Sequence, residues 1–285
     1  MGKKNHSDAG MHRINLSAWL VVGLLGASVL VTLYPFWLAA TNAVKSPADY
    51  GANGPIALPQ SFDLSGLLRF WHNVDFTLKL FNSALISGAV AAIAVLLSLL
   101  SAYAIGIGRI KGSRTVLFIV TMGMMVPQES LVYPLYYIMK SVGLFDTRTS
   151  VIIIFAVLQS AYGTYLLSAV LSTFPRELLE AAEIDGASRF EVLVHVVTPL
   201  LRPTLMVLAT FFFIWTWNEF LLPLVLLISN DNQTVSVAMG TLNTQYTSDP
   251  TTTAAASLLG LAPTVLFFLI FQRTLTRGIA VGAVK

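Results

Sequence analysis

Apolar positions dominate this chain in long unbroken runs, and charge spacing marks their ends. Residues 14–44 contain no Asp, Glu, Lys or Arg, and neither do 80–108, 149–175 and 250–272. Two further stretches each hold a single charge: 115–139 around Glu129 and 203–230 around Glu219. A hydrocarbon layer of about 30 Å needs about 20 helical residues to cross it. The pattern therefore predicts six spans, near 17–40, 82–107, 115–138, 150–172, 203–228 and 252–272. None of the runs alternates as a barrel strand would, and only helices or closed barrels satisfy the backbone in lipid. The predicted class is an all-α integral membrane protein with six transmembrane helices.

Composition agrees. The 17 Lys+Arg and 14 Asp+Glu make up 11% of 285 residues, against 55% hydrophobic ones. A soluble domain carries about 25% charged residues, so too little polar surface exists to coat a globule in water. The net charge of +3 is spread along the chain, which argues against nucleic acid as a partner and for membrane topology. Basic residues set that topology. Twelve fall on one side: Lys3, Lys4, Arg13, Arg109, Lys111, Arg114, Arg176, Arg189, Arg202, Arg273, Arg277 and Lys285. Five fall on the other: Lys45, Arg69, Lys79, Lys140 and Arg148. Both termini are thus expected in the cytoplasm, with residues 1–15 as a cytoplasmic tail and 16–285 as one transmembrane domain. The first span is too long for a signal-peptide core and lacks a clear A-x-A site, so it reads as an uncleaved anchor. The segment 45–79, on the other side, holds Pro47, Pro55 and Pro59 and is expected to be irregular, with a short helix around Leu64–Phe70.

One connection differs from the others. Residues 174–203 hold five acids: Glu177, Glu180, Glu183, Asp185 and Glu191. Pro175 suits a helix start, and Leu178, Leu179, Ala181 and Ala182 give an apolar stripe. Asp185-Gly186 is a break. Ser188 followed by Glu191 predicts a capping box that opens a second helix through Val192–Val197. Pro199 and Pro203 are expected to end that helix and lead into the fifth span. Small Ala181 and Ala182 beside Glu180 let another backbone approach closely while the carboxylate accepts hydrogen bonds, a docking surface rather than a linker.

Those residues carry a resemblance. Glu180-Ala181-Ala182, Gly186 and Pro199, with the fuller run Glu180 to Ala187, resemble the EAA motif of ABC importer permeases. Further segments resemble the carbohydrate, maltose-type (MalG-like) branch: Pro127-Gln128, Pro134-Leu135-Tyr136, Gly143 to Thr147, Trp217-Asn218, Phe220-Leu221, Pro223-Leu224, Phe271-Gln272-Arg273 and Gly282 to Lys285. The likeness runs from about residue 16 to the end of the sequence; Val196 and Thr198 depart from it. It implies the type I importer permease fold, with 174–203 as a cytoplasmic coupling-helix pair seated in an ATPase subunit. Glu180, Ala181, Ala182, Asp185, Gly186, Ala187 and Pro199 would then be the ATPase-coupling residues. It also implies partners: a second homologous permease subunit, an ATP-binding cassette ATPase dimer and an extracytoplasmic sugar-binding protein. The place would be a bacterial or archaeal cell (inner) membrane. The loop Asn230–Asp249 resembles the segment that meets the binding protein.

What the chain lacks fits a transport subunit that is not itself an enzyme. It has no G-x-x-x-x-G-K-[ST], and the glycines at 106, 108 and 112 have the wrong spacing for one. ATP and Mg²⁺ are expected on partner subunits, with no cofactor in this chain. Zero cysteines exclude thiolate metal sites, and His6, His12, His72 and His195 form no metal pair.

Polar groups at membrane depth are functional candidates. On straight helices rising 1.5 Å per residue, Glu129 lies about 22 Å beyond Arg114, Glu219 about 26 Å beyond Arg202 and Gln159 about 16 Å past Arg148. The expected translocation pathway is a polar collar of Gln128, Glu129, Asn218 and Glu219, with Gln159 deeper and Tyr133, Trp215 and Trp217 available to stack on sugar rings. Two alternatives stay open. The acids can snorkel to the interface beside a belt of Trp, or Glu129 and Glu219 can serve an ion-coupled secondary transporter.

Overall fold

The computed structural model describes residues 16–108, 110–241 and 249–283. The expected tail 1–15, Arg109, residues 242–248 of the loop Asn230–Asp249 and the terminal Val284-Lys285 lie outside the described residues. All regular structure among the described residues is helical: α1 (Leu16–Ala43), α2 (Pro47–Asn53), α3 (Ser65–Asn73), α4 (Phe76–Gly106), α5 (Ser113–Met124), α6 (Val132–Ser141), α7 (Arg148–Ser172), α8 (Arg176–Ile184), α9 (Arg189–Glu191), α10 (Thr198–Asn218), α11 (Leu221–Leu226), α12 (Val235–Gly240) and α13 (Pro250–Ala283). Among the described residues, five helical stretches are long and apolar enough to cross a membrane: α1, α4, α7, the continuous helix from α9 through α10, and α13.

The sixth, expected as one helix over 115–138, is broken. Helices α5 and α6 meet at 90° across a short 3₁₀ turn, Gln128–Leu131. Pro127 is the cause: it has no N–H to donate and disfavours a helical Val126 before it. Its own backbone is extended (φ −57°, ψ 128°). The fifth span also differs from 203–228. It begins at Arg189, ends at Asn218, and leaves Glu219 extended before α11. Pro199 and Pro203 do not end a helix here. A wide π turn, Val192–Val197, precedes Pro199, and the Thr198 hydroxyl donates to the Leu193 carbonyl at 2.7 Å, so the imino ring is accommodated within a continuous helix. In the segment 45–79 a second helix accompanies the expected one: Pro47 opens α2, where the Ser46 hydroxyl accepts from the Asp49 N–H at 3.1 Å.

Helices α4, α7 and α10 form the centre, where Leu99, Leu167, Leu208 and Phe212 are buried together. Buried polar side chains sit in these same helices: Asn82, Ser87, Ser98, Gln159, Thr164 and Thr216. Large apolar side chains such as Leu96, Val157 and Leu200 face outward. A soluble protein would reverse this; in lipid, small and hydroxyl residues hold helices together. The closest crossing lies at Gly163. A Cβ there would lie 2.1 Å from the Ser98 Oγ and 3.0 Å from the Phe212 ring. The Ser98 hydroxyl reaches the Ala94 carbonyl at 2.6 Å and, across the crossing, the Ser160 carbonyl at 3.2 Å. Helix α1 lies outside this core, exposed around most of its surface and packed mainly on α13.

At the end of the bundle away from α8, polar side chains clamp residues 229–235. Lys79, fully buried, donates to the Asn230 carbonyl and to its Oδ1 at 2.9 Å. Asn82 donates to the carbonyls of Asp231 and Gln233 at 2.8 and 2.9 Å and accepts from Arg148 at 3.0 Å. Asp146 accepts from the Ser229 N–H at 3.0 Å and from its hydroxyl. Partial burial pushes the Asp146 carboxyl up, but the donors on Ser229 and Asn232 outweigh it and hold it below the ordinary carboxylate range.

Two outcomes follow. Gly163→Leu overpacks the crossing and lowers stability by about 1–3 kcal/mol, read as a fall in Tm in detergent; Gly88→Ala, whose Cβ meets nothing within 4 Å, leaves Tm nearly unchanged. A depressed carboxylate stabilises above its unfolded pKa of about 3.9, and that contribution is lost as pH falls through the lower folded value. The Tm of wild type therefore drops more between about pH 5 and pH 3 than that of Asp146→Asn, which keeps a residue type tolerant of the left-handed backbone at 146 (φ 57°).

Candidate functional site

Both breaks in the spanning helices open onto one cavity of 580 Å³, between the 125–128 corner, α7 and the end of α10. Gln128, Gln159, Asn218 and Glu219 line it, together with Trp215 and Tyr162. Four of the six expected pathway residues therefore meet. Gln159 is buried; its Nε2 donates to the Thr216 hydroxyl at 2.8 Å, while its Oε1 has no hydrogen-bond partner within the protein. Asn218 is exposed and donates to the Ile214 carbonyl at 2.8 Å. Glu219 accepts the Leu221 N–H at 3.2 Å, which pins its carboxylate at the start of α11. The Trp215 ring is 44% exposed and meets Tyr162 edge-on at 5.2 Å.

The other two, Glu129 and Tyr133, lie elsewhere, and so does Trp217, expected as a stacking platform. Glu129 is exposed in the 3₁₀ turn and outside the cavity lining. Tyr133 is also outside the lining and exposed, its hydroxyl 3.0 Å from that of Tyr137. The 90° corner is the reason: distances along a straight third span do not apply. Trp217 is 5% exposed, stacked on Phe213 and packed against Phe267, so it is core and offers no platform for a ligand. Tyr162 was not anticipated, although it lies one helical turn after Gln159 and so shares its face.

At the other end, 174–203 folds as a tight hairpin. Pro175 caps α8, which ends in a Schellman turn: Gly186 N–H to Glu183 carbonyl at 3.0 Å and Ala187 N–H to Ala182 carbonyl at 2.9 Å. Gly186 has φ +76°, a conformation that glycine adopts freely and other residues rarely do. The predicted capping box is present: Ser188 Oγ accepts from Glu191 N–H at 3.3 Å, and Glu191 accepts from Ser188 N–H at 2.7 Å. Glu180, Ala181 and Asp185 are exposed. Ala182 is not part of that exposed face; it is buried in the core with Val192 and Leu193, because the Schellman turn folds α8 back onto the next helix. Pro199 is exposed in the first turn of α10, away from the hairpin tip. Exposed apolar side chains flank the turn, Ile184 at 87% and Phe190 at 71%.

Long apolar helices around a cavity that mixes apolar side chains with three amides and a carboxylate, and a structured polar hairpin at one end, fit a multi-pass membrane transport subunit. The chain belongs to the family of binding-protein-dependent transport system inner membrane components, whose model matches residues 94–281 and thus includes both the cavity and the hairpin. The arabinooligosaccharides transport system permease protein AraQ of Halalkalibacterium halodurans is 33% identical over 94% of this chain and 96% of its own length. The trehalose transport system permease protein SugB of Mycobacterium tuberculosis is 31% identical over 97% and 99%. The probable starch degradation products transport system permease protein AmyC of Thermoanaerobacterium thermosulfurigenes is 28% identical over 96% and 100%. In fold, the chain is similar to a chain in the crystal structure of a bacterial ABC transporter involved in the import of the acidic polysaccharide alginate. The TM-score is 0.79 at 23% identity, covering 96% of this chain and 99% of that one.

The absence of native cysteine allows a direct check of the cavity face. Single cysteines at 215 and 218 are expected to react with a polar maleimide in the purified protein, while one at 217 stays protected. Equal labelling of 215 and 217 would contradict this placement.

Proposed function

We propose that this chain is the membrane-spanning subunit of an ATP-driven importer, which translocates a sugar or oligosaccharide delivered by an extracytoplasmic solute-binding protein. Full-length similarity to permeases named for arabinooligosaccharides, trehalose and lactose supports the sugar class. In this reading the working assembly contains a second homologous permease and an ATP-binding cassette ATPase dimer. ATP and Mg²⁺ sit on the ATPase subunits, and this chain holds no cofactor. The setting is a bacterial or archaeal inner membrane with both termini in the cytoplasm.

The observation that carries the ATPase coupling is the hairpin around Gly186. Large apolar side chains at a polar end of the molecule, Ile184 and Phe190, are unfavourable in water and are suited to a protein partner. Glu180 and Ala181 lie exposed on the same hairpin, an acceptor beside a small side chain. The hairpin seats in a cleft of the ATPase, and nucleotide-driven closure moves it between two positions. Gln128, Gln159, Asn218 and Glu219 line the pathway at the far end of the same long helix.

The ion-coupled alternative has less support. It needs two acids acting together, yet Glu129 lies outside the cavity and Glu219 is already engaged by the Leu221 N–H. Glu180→Lys and Gly186→Val test the reading in the intact importer. Uptake of the native sugar is expected to fall at least about tenfold, equivalent to about 1.4 kcal/mol of coupling, and the ATPase to be lost on co-purification. If uptake and co-purification both survived, the hairpin would not be the coupling element.

A further inference from the structure

We infer that this chain itself holds a subsite for a neutral sugar, in the cavity between the 125–128 corner, α7 and α10, and that Glu219 there turns acidic sugars away. The inference rests on the sugar-import reading above and assigns the contact to this subunit. Three amides line the cavity, those of Gln128, Gln159 and Asn218. Each amide offers both donors and an acceptor, which matches hydroxyl groups that do both. Gln159 is the most specific of them. It is held by Thr216, and its Oε1, itself buried, has no partner in the protein, so a hydroxyl donor reaches this unmet acceptor only as the cavity wall around Gln159 shifts. Trp215, half-exposed and braced by Tyr162, supplies an apolar surface with a polar edge, suited to the C–H face of a pyranose ring. The volume of 580 Å³ falls among small-molecule pockets of about 300–1,000 Å³.

Charge decides between sugar classes. Glu219 is the only charged side chain among the described lining residues, and no Lys, Arg or His joins it. A uronate carboxylate entering this cavity meets a fixed carboxylate without a cation to compensate, whereas a neutral hydroxyl can donate to it.

The test uses the full-length chain, with the subunits that co-purify with it, in nanodiscs without binding protein. Saturation-transfer NMR is recorded with maltose, trehalose, raffinose and digalacturonate. At least one neutral sugar is expected to give a saturable signal with wild type, and digalacturonate none. Gln159→Leu and Trp215→Ala weaken neutral-sugar binding about tenfold or more. Asn218→Ala, at an exposed position where folding is not at risk, weakens it to a lesser extent. Glu219→Gln, which removes the carboxylate from the lining, is expected to admit digalacturonate. Neutral-sugar signals unchanged in all three weakening variants would overturn the subsite, as would digalacturonate binding to wild type as well as the neutral sugars do. If wild type binds none of the probes while cells carrying the complete importer take up one of them, the subsite falls and the importer reading stands. If those cells take up no sugar at all, the importer reading itself fails.

Discussion

Inside a hydrocarbon layer every backbone N–H and C=O must find a partner in the protein, and irregular backbone is tolerated only where it is buried or lines a polar cavity. That constraint organises this molecule. The chain leaves its helical path within a spanning segment at Pro127 and at Glu219, and both departures open onto the same cavity. Each has local compensation: the 3₁₀ turn after Pro127, and the Glu219 carboxylate on the Leu221 N–H. Elsewhere the helices run unbroken and meet through small or hydroxyl residues, as at Gly163 and Ser98. Gln159, with its unpartnered Oε1, lies in the same cavity as both departures, and that coincidence is what makes the cavity a candidate site.

The same constraint explains which features were legible in the sequence. Six apolar runs could be counted from the gaps between charges, because desolvation of a charge is too costly to hide. The hairpin at 174–197 was also legible, since Pro175, Gly186 and the Ser188–Glu191 pair act over three or four residues and need no tertiary information. The breaks were not. An apolar count treats 115–138 as one segment and is blind to the backbone limits set by Pro127, even though that residue stood in plain view. Placing Glu129 by a straight helix then put it in the wrong surroundings. Trp215 and Trp217 make a similar point: two residues apart on a helix is about 200°, so only one of them can face the cavity. Gln159 was found because an amide at depth is conspicuous in any register. Lys79 was counted only as a basic residue on the side away from the termini; it is fully buried because the carbonyl and side-chain oxygens of Asn230, 151 positions away, receive its ammonium. No local pattern announces such a partner.

The two functional ends are joined by one object. From Arg189 to Asn218 the chain is a single helix of 30 residues, about 45 Å long at 1.5 Å per residue. One end is fixed to the hairpin by the capping box, and the other carries Trp215 and Asn218 into the cavity. Phe212 packs it against the Gly163 crossing, about 9 Å from Asn218 and about 34 Å from Arg189 along the axis. If a rigid rod turned about that crossing, its hairpin end would travel about four times as far as Asn218, the ratio of the two arms. The wide π turn at 192–197 lies on the long arm beside the hairpin, and the arm from Phe212 to Asn218 is regular α-helix.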